Sequence, residues 1–183
     1  HGFSDFSSKG VSFRIGLSIE KDEVAHRTLH LRAFLRQFNT PPQDYYRYIR
    51  GEKGFTREYL KSTYSAQWKA AEDQAKRWEL GKYPFRDVSA AIKQAIGKAT
   101  YWILLGGPPC QAYSLAGRSR MGKLTGFSTD ARHTLYREYL KIVAVHQPAV
   151  FVMENVKGIL SSQHGTKGKT EAIIHQILED LRG

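Results

Sequence analysis

The chain is nearly without cysteine: Cys110 is the only one in 183 residues. A single thiol excludes an internal disulfide framework and a multi-cysteine zinc site. Long apolar runs are missing as well. None approaches the ~18 residues of a membrane span, and the N-terminus shows no signal-peptide pattern, so a soluble, cytoplasmic protein with no membrane partner is expected. Acid is the third shortage: 17 Asp and Glu stand against 28 Lys and Arg, for a net charge of +11. That excess favours polyanionic partners, nucleic acid before an anionic membrane. The remaining composition, 41% hydrophobic and 25% charged, is that of an ordinary globular protein, and the length suits one domain with a real core. No internal repeat or low-complexity segment is visible.

Four segments read as strands that feed turns. "VSFRIGLSIE" (11–20) alternates apolar and polar residues and ends in Glu20, while "YPFRDV" (83–88) is short. "TYWILL" (100–105) and "PAVFVMEN" (148–155) are continuous apolar runs, as expected of strands buried on both faces. Between these two, Leu135, Tyr139, Ile142 and Val143 fall at helical spacing, and beyond them Ile174, Ile177, Leu178 and Leu181 form another stripe. Strand, helix, strand, helix in that order indicates an α/β fold with a mostly parallel sheet flanked by helices. Residues 24–82 read as a helical insertion: Val24, Thr28, Leu31, Leu35 and Phe38 mark one helix, stopped by "NTPP". A second, over about 56–80, carries Leu60, Tyr64, Trp68, Ala71, Ala75 and Trp78. Basic residues interleaved with aromatics in this block suit nucleic-acid contact. The plainer alternative is a solvated hairpin whose aromatics pack its own small core.

The lone thiol sits in "GGPPCQAYS" (106–114), five residues after Leu105, and Glu154 directly follows "VFVM". In open parallel sheets, ligands bind just beyond the carboxyl ends of the strands. If the two strands are neighbours, their ends lie roughly 5 Å apart and bring a thiol and a carboxyl group to one crevice. That pair suits attack by sulfur with proton donation from the acid. Gly106 and Gly107 allow close approach of backbone or ligand, and Pro108 and Pro109 hold Cys110 on a rigid arm. Arg118, Arg120 and Lys123 follow closely enough to favour the thiolate. A lone cysteine is more often a buried small hydrophobe. Core packing, however, has no use for a Gly-Gly-Pro-Pro lead.

"GGPPCQAYS" resembles the nucleophile motif of the DNA (cytosine-5) methyltransferases, and "FVMENVKG" (151–158) resembles their Glu-Asn-Val motif. "STDARHTLYREYLKIV", between them, is similar to the segment that leads into a helix in that family. The resemblance implies a Rossmann-like fold that depends on S-adenosyl-L-methionine, with S-adenosyl-L-homocysteine as product, no metal, and double-stranded DNA as partner. It assigns Cys110 as the nucleophile adding to carbon 6 of a flipped-out cytosine and Glu154 as the acid that protonates the ring nitrogen. A base inside a duplex is out of reach of a thiol, so flipping is required. Residues 112–130 fit a mobile loop with Gly117, Gly122 and Gly126 as hinges and Arg118, Arg120 and Lys123 for phosphates, with a plain exposed loop as the equal alternative; Gln111 and Ser114 are weaker DNA contacts.

On the cofactor side, Glu20 matches the acid that holds the ribose of the methyl donor. Asp87, 23 residues before Cys110, resembles the adenine-contacting Asp, with a turn or helix-cap role as the alternative. Pro109 belongs to the same cofactor set. Phe3, 17 residues before Glu20, resembles the end of the family's Phe-x-Gly-x-Gly loop. Most of that loop, the later strands and the target recognition domain have no counterpart, which implies a partial catalytic domain over 1–183. A monomer is expected. An RNA cytosine methyltransferase and a nucleic-acid-binding module with a vestigial site remain alternatives.

Overall fold

In the computed structural model, the residues described are 7–8, 10–107, 135–154, 163–164, 171–172, 175 and 179. The chain divides into two compact units, His1–Gly97 and Lys98–Gly183.

The first unit opens with a hairpin. Strand β1 (Ser7–Ser8) pairs antiparallel with β2 (Val11–Ser12) around Gly10, whose φ of +78° suits a residue without a Cβ. Strand β3 (Ser18–Ile19) follows, and then four helices: α1 (Glu23–Leu35), α2 (Gln43–Ile49), α3 (Arg57–Thr63) and α4 (Ser65–Gln74). The chain returns as β4 (Ala75–Lys76), parallel to β3, and enters α5 (Phe85–Ile96). The helical block is therefore the crossover between two neighbouring parallel strands. Local chemistry sets its helix starts. Asp22 Oδ1 accepts from the Ala25 N–H at 2.8 Å at the head of α1, and the Thr56 hydroxyl accepts from the Tyr59 N–H at 3.1 Å at the head of α3.

Ala33, Phe34, Leu60, Trp68, Ala71 and Ala75 form the core of this unit. Phe34 meets Trp68 at 5.4 Å and Phe38 edge-on at 5.0 Å between ring centroids. Burying a side chain such as Phe34 or Leu60 is worth roughly 1.5–3 kcal/mol. Most of the aromatics of the block thus pack its own core.

Several sequence expectations change here. The single strand over 11–20 is two short pieces. Between them, side chains take up the backbone: Gln74 Nε2 donates to the Ile15 carbonyl at 2.6 Å and an Arg14 guanidinium N–H donates to the Ala95 carbonyl at 3.4 Å. The expected strand at 83–88 is the first turn of α5. Pro84 occupies its N-cap, and Val88 and Ile92, four apart, are buried, a period that a six-residue window cannot reveal. The long helix over 56–80 breaks at Tyr64 (φ −119°, ψ 49°), whose hydroxyl donates to Asp44 at 3.1 Å, and it gives way to β4 at Ala75. The helix marked by Val24 forms, and its fully buried residues are His30, Ala33 and Phe34; of the expected stripe, Leu31, Leu35 and Phe38 pack half-buried against that core, while Val24 is 73% exposed.

In the second unit, β5 (Ile103–Gly106) pairs parallel with β6 (Val150–Met153) across helix α6 (Leu135–His146). Both strands are shorter than the apolar runs that contain them. Leu105, Val150 and Val152 are half exposed, not buried on both faces, while Tyr139, Leu140 and Ile142 of α6 are buried. Strands β7 (Gln163–His164) and β8 (Glu171–Ala172) pair antiparallel. The stripe from Ile174 to Leu181 lies outside the described residues. No helix among the described residues is long and apolar enough to cross a membrane.

His30 is the polar member of the first core, 3% exposed. An Arg57 guanidinium N–H donates to Nδ1 at 3.0 Å, which puts the imidazole proton on Nε2, and the His30 ring lies 4.6 Å from that of Trp68. Burial first, and the Arg57 charge second, lower its pKa from 6.5 to about 4. Unfolding restores an ordinary imidazole, so the unfolded chain takes the proton first as pH falls. The contribution is whole above about pH 6.5 and disappears as pH drops toward 4, amounting to at most about 3 kcal/mol. Urea unfolding at pH 7 and pH 4.5 should show this loss in the parent chain and a smaller one in His30→Gln. Equal losses in both would assign the acid sensitivity to other groups.

Candidate active site

Glu154 is placed by backbone pairing. The parallel register sets Gly106 opposite Met153, and one residue on, the Glu154 N–H donates to the Gly106 carbonyl at 2.8 Å. The carboxyl group thus stands at the carboxyl end of two hydrogen-bonded parallel strands, as the two apolar runs led one to expect. It is exposed and lies over the start of the glycine-proline segment: a Cβ added at Gly107 would be 3.1 Å from Glu154 Oε2.

Tyr139 of α6 locks these strands together. Its hydroxyl lies 3.0 Å from the Val152 carbonyl on β6 and 3.2 Å from the Leu104 carbonyl on β5, with one proton to give to either. Burial raises its pKa, which keeps the hydroxyl a donor. Its ring occupies the space where a Gly106 side chain would stand. The two glycines therefore have different reasons. Gly106 makes room for the Tyr139 ring rather than for a ligand, and Gly107 makes room for the Glu154 carboxylate. The sequence marked Tyr139 only as part of an apolar stripe. A hydroxyl on a helix face opposite a Gly-ended strand was the available signal.

Glu20 is half-buried immediately past β3, at the carboxyl end of the β3–β4 pair. Its N–H donates to the Lys76 carbonyl at 3.1 Å, and its Oε1 accepts from the Asp22 N–H at 2.8 Å. One carboxylate oxygen is thus used to orient the group, and a carboxylate so held suits a ribose hydroxyl pair. Asp87 lies in the first turn of α5, where its charge complements the helix N-terminus, and Oδ1 accepts from Arg86 Nε at 3.1 Å. Asp87 stands inside the helix rather than at the N-cap, which Pro84 occupies. Phe3, Pro109, Cys110, Gln111, Ser114, Arg118, Arg120 and Lys123 lie outside the described residues. Among the described residues, no group of three or more His, Cys, Asp or Glu could hold a metal ion.

The family model for C-5 cytosine-specific DNA methylases matches residues 51–182. The chain belongs to that family. Type II methyltransferase M.Bpa9945I of Bacillus paralicheniformis is 31% identical over 172 residues, covering 84% of this chain and 38% of that protein. Type II methyltransferase M.HpaII of Haemophilus parainfluenzae is 34% identical over 121 residues, 66% of this chain and 32% of that protein. The DNA-cytosine methyltransferase of Escherichia coli K12 is 43% identical over 82 residues, 43% of this chain and 17% of that protein. The chain thus spans less than half the length of each of these relatives. No solved structure matches it.

In this methylase-family chain the Gly106–Tyr139 contact can be measured as a coupling. Gly106→Ala should cost roughly 1–3 kcal/mol by overpacking, whereas Gly107→Ala should change stability little. Thermal melting of Gly106→Ala, Tyr139→Leu and the double variant should show strong non-additivity. Additive losses would mean the ring and the glycine do not share one space.

Proposed function

We infer that this chain carries the catalytic residues of a DNA (cytosine-5) methyltransferase, built on a Rossmann-like sheet. What carries the reading is Glu154, held by the parallel ladder at 2.8 Å from its N–H to the Gly106 carbonyl, with its carboxylate beside Gly107, three residues before the lone thiol in sequence. Two parallel strand pairs, each followed at its carboxyl end by an acid, Glu20 and Glu154, support the Rossmann-like fold.

Cys110, as thiolate, adds to carbon 6 of a cytosine flipped out of duplex DNA. Glu154 binds the Watson–Crick edge of that base and donates a proton to its ring nitrogen, which lets the ring accept the electrons of the new bond. The ring becomes an enamine, nucleophilic at carbon 5. Bound S-adenosylmethionine would supply an electrophilic methyl group to carbon 5, with S-adenosylhomocysteine as the leaving group. Glu20 would hold its ribose, and Asp87, Phe3 and Pro109 complete the assigned cofactor set. Loss of the carbon-5 proton then expels the thiolate. Gln111, Ser114, Arg118, Arg120 and Lys123 contact the DNA.

The test uses the full gene product, S-adenosylmethionine and duplex DNA containing 5-fluorocytosine. Fluorine at carbon 5 blocks the final elimination, so a denaturant-resistant adduct should form and map to Cys110 by mass. Cys110→Ser should abolish methyl transfer, and Glu154→Gln should slow it by roughly 10²–10⁴-fold. Methylation surviving in Cys110→Ser would sink the mechanism. An adduct formed on transfer RNA alone would move the protein to RNA.

A further inference from the structure

We propose that the outer groove between α1 and α2, in the first unit, binds the sugar–phosphate backbone of duplex DNA without regard to base sequence. The choice of partner rests on the methyltransferase reading above; the location rests on the groove itself. None of the assigned site residues lies in it.

The groove has a volume of about 410 Å³. Arg27 and Arg32 from α1 and Arg57 from the head of α3 line it, with Tyr45 and Tyr48 from α2, and none of its lining residues is acidic. It lies on the outer side of α1, which turns His30, Ala33 and Phe34 to the core and leaves Val24, Arg27, Thr28 and Arg32 exposed. Val24 and Ile49, exposed by 73% and 56%, give it an apolar floor that suits the carbon faces of deoxyriboses between phosphates.

The charge pattern identifies the occupant. Residues 24–82 hold twelve Lys and Arg against six acids, and five of the six acids are engaged in hydrogen bonds or ion pairs. Glu52 pairs with Arg47 and Arg50, Asp73 with Lys69 and Lys76, and Glu79 with Lys21 and Lys82. Glu72 takes Trp68 Nε1 and Lys61, and Asp44 takes the hydroxyls of Tyr59 and Tyr64, while Glu58 stands in the first turn of α3, where the Arg57 and Arg27 charges act on it. Arg27 and Arg32 are exposed and make no ion pair among the described residues. Arg57 is held in place by His30 Nδ1 at 3.0 Å and by the Trp68 ring, 4.9 Å from its Cζ. Two exposed guanidiniums without an ion pair stand beside an anchored third in a groove whose lining holds no acid, Glu58 lying outside it, and together they complement a row of phosphates.

The experiment measures duplex binding by the full gene product over a range of salt, using fluorescence anisotropy and an oligonucleotide of mixed sequence. The parent is compared with Arg27→Gln/Arg32→Gln and with the charge-matched control Lys69→Gln/Arg77→Gln, whose side chains are ion-paired to Asp73 and Glu23. Thermal melting checks that both variants fold. If each groove arginine holds one phosphate, the slope of log K against log salt should fall by about 2 and affinity by roughly tenfold, with little change in the control. An equal slope in groove and control variants would overturn the groove while leaving the methyltransferase reading intact, since the fluorocytosine adduct reports on that reading separately. A parent with neither adduct nor duplex affinity would overturn both. A self-association abolished by Ile49→Asp, with the salt slope unmoved, would make the groove an interface between copies and overturn the proposal.

Discussion

The parallel register between Ile103–Gly106 and Val150–Met153 is the constraint on which the site depends. A shift of one residue would put Glu154 on the other side of the pleat and move its carboxylate away from Gly107. Four residues per strand are few to hold that register alone. Tyr139 reinforces it, because its hydroxyl lies within hydrogen-bond distance of a carbonyl on each strand and its ring seats only against a glycine at 106. The acid is thereby positioned by backbone geometry and one aromatic clamp, leaving its carboxylate exposed for a ligand.

The first unit solves a different problem. It must connect two parallel strands through a crossover of four helices while carrying a large excess of positive charge. The aromatics go inward, around Phe34 and Trp68, and the acids are spent pairing cations elsewhere on the block. His30 shows the cost of this arrangement. A buried imidazole beside an arginine must stay neutral, which makes the core sensitive to acid. The same Arg57 that suppresses its charge borders the groove, so core packing and surface electrostatics meet in one side chain.

Membership of the C-5 cytosine-specific DNA methylase family joins these observations to chemistry. In open α/β sheets the strand ends are where ligands bind, and both acids singled out at strand ends, Glu20 and Glu154, stand there. Each is oriented by its own backbone: Glu20 through Lys76, Glu154 through Gly106.

The sequence alone determined the elements whose signal is local. The apolar runs before Gly106 and before Glu154, the helix through Tyr139 and Ile142, and the strand-end positions of Glu20 and Glu154 could all be read from short patterns. The motif around Cys110 carried the family. Tertiary structure decided what depends on distant partners. Residues 11–20 became two short strands because only Ser18–Ile19 finds a parallel neighbour, at Ala75–Lys76. Tyr64 broke a helix because Asp44 and the rings of Phe34 and Phe38 reward another geometry. Helix α1 turned His30, Ala33 and Phe34 fully inward, with Leu31 and Leu35 of its apolar stripe only half-buried beside them, and Gly106 answered to a tyrosine more than thirty residues later in the chain. A local pattern records what a residue prefers on its own, whereas register, helix face and the need for a missing Cβ are set by atoms that meet only once the chain has folded.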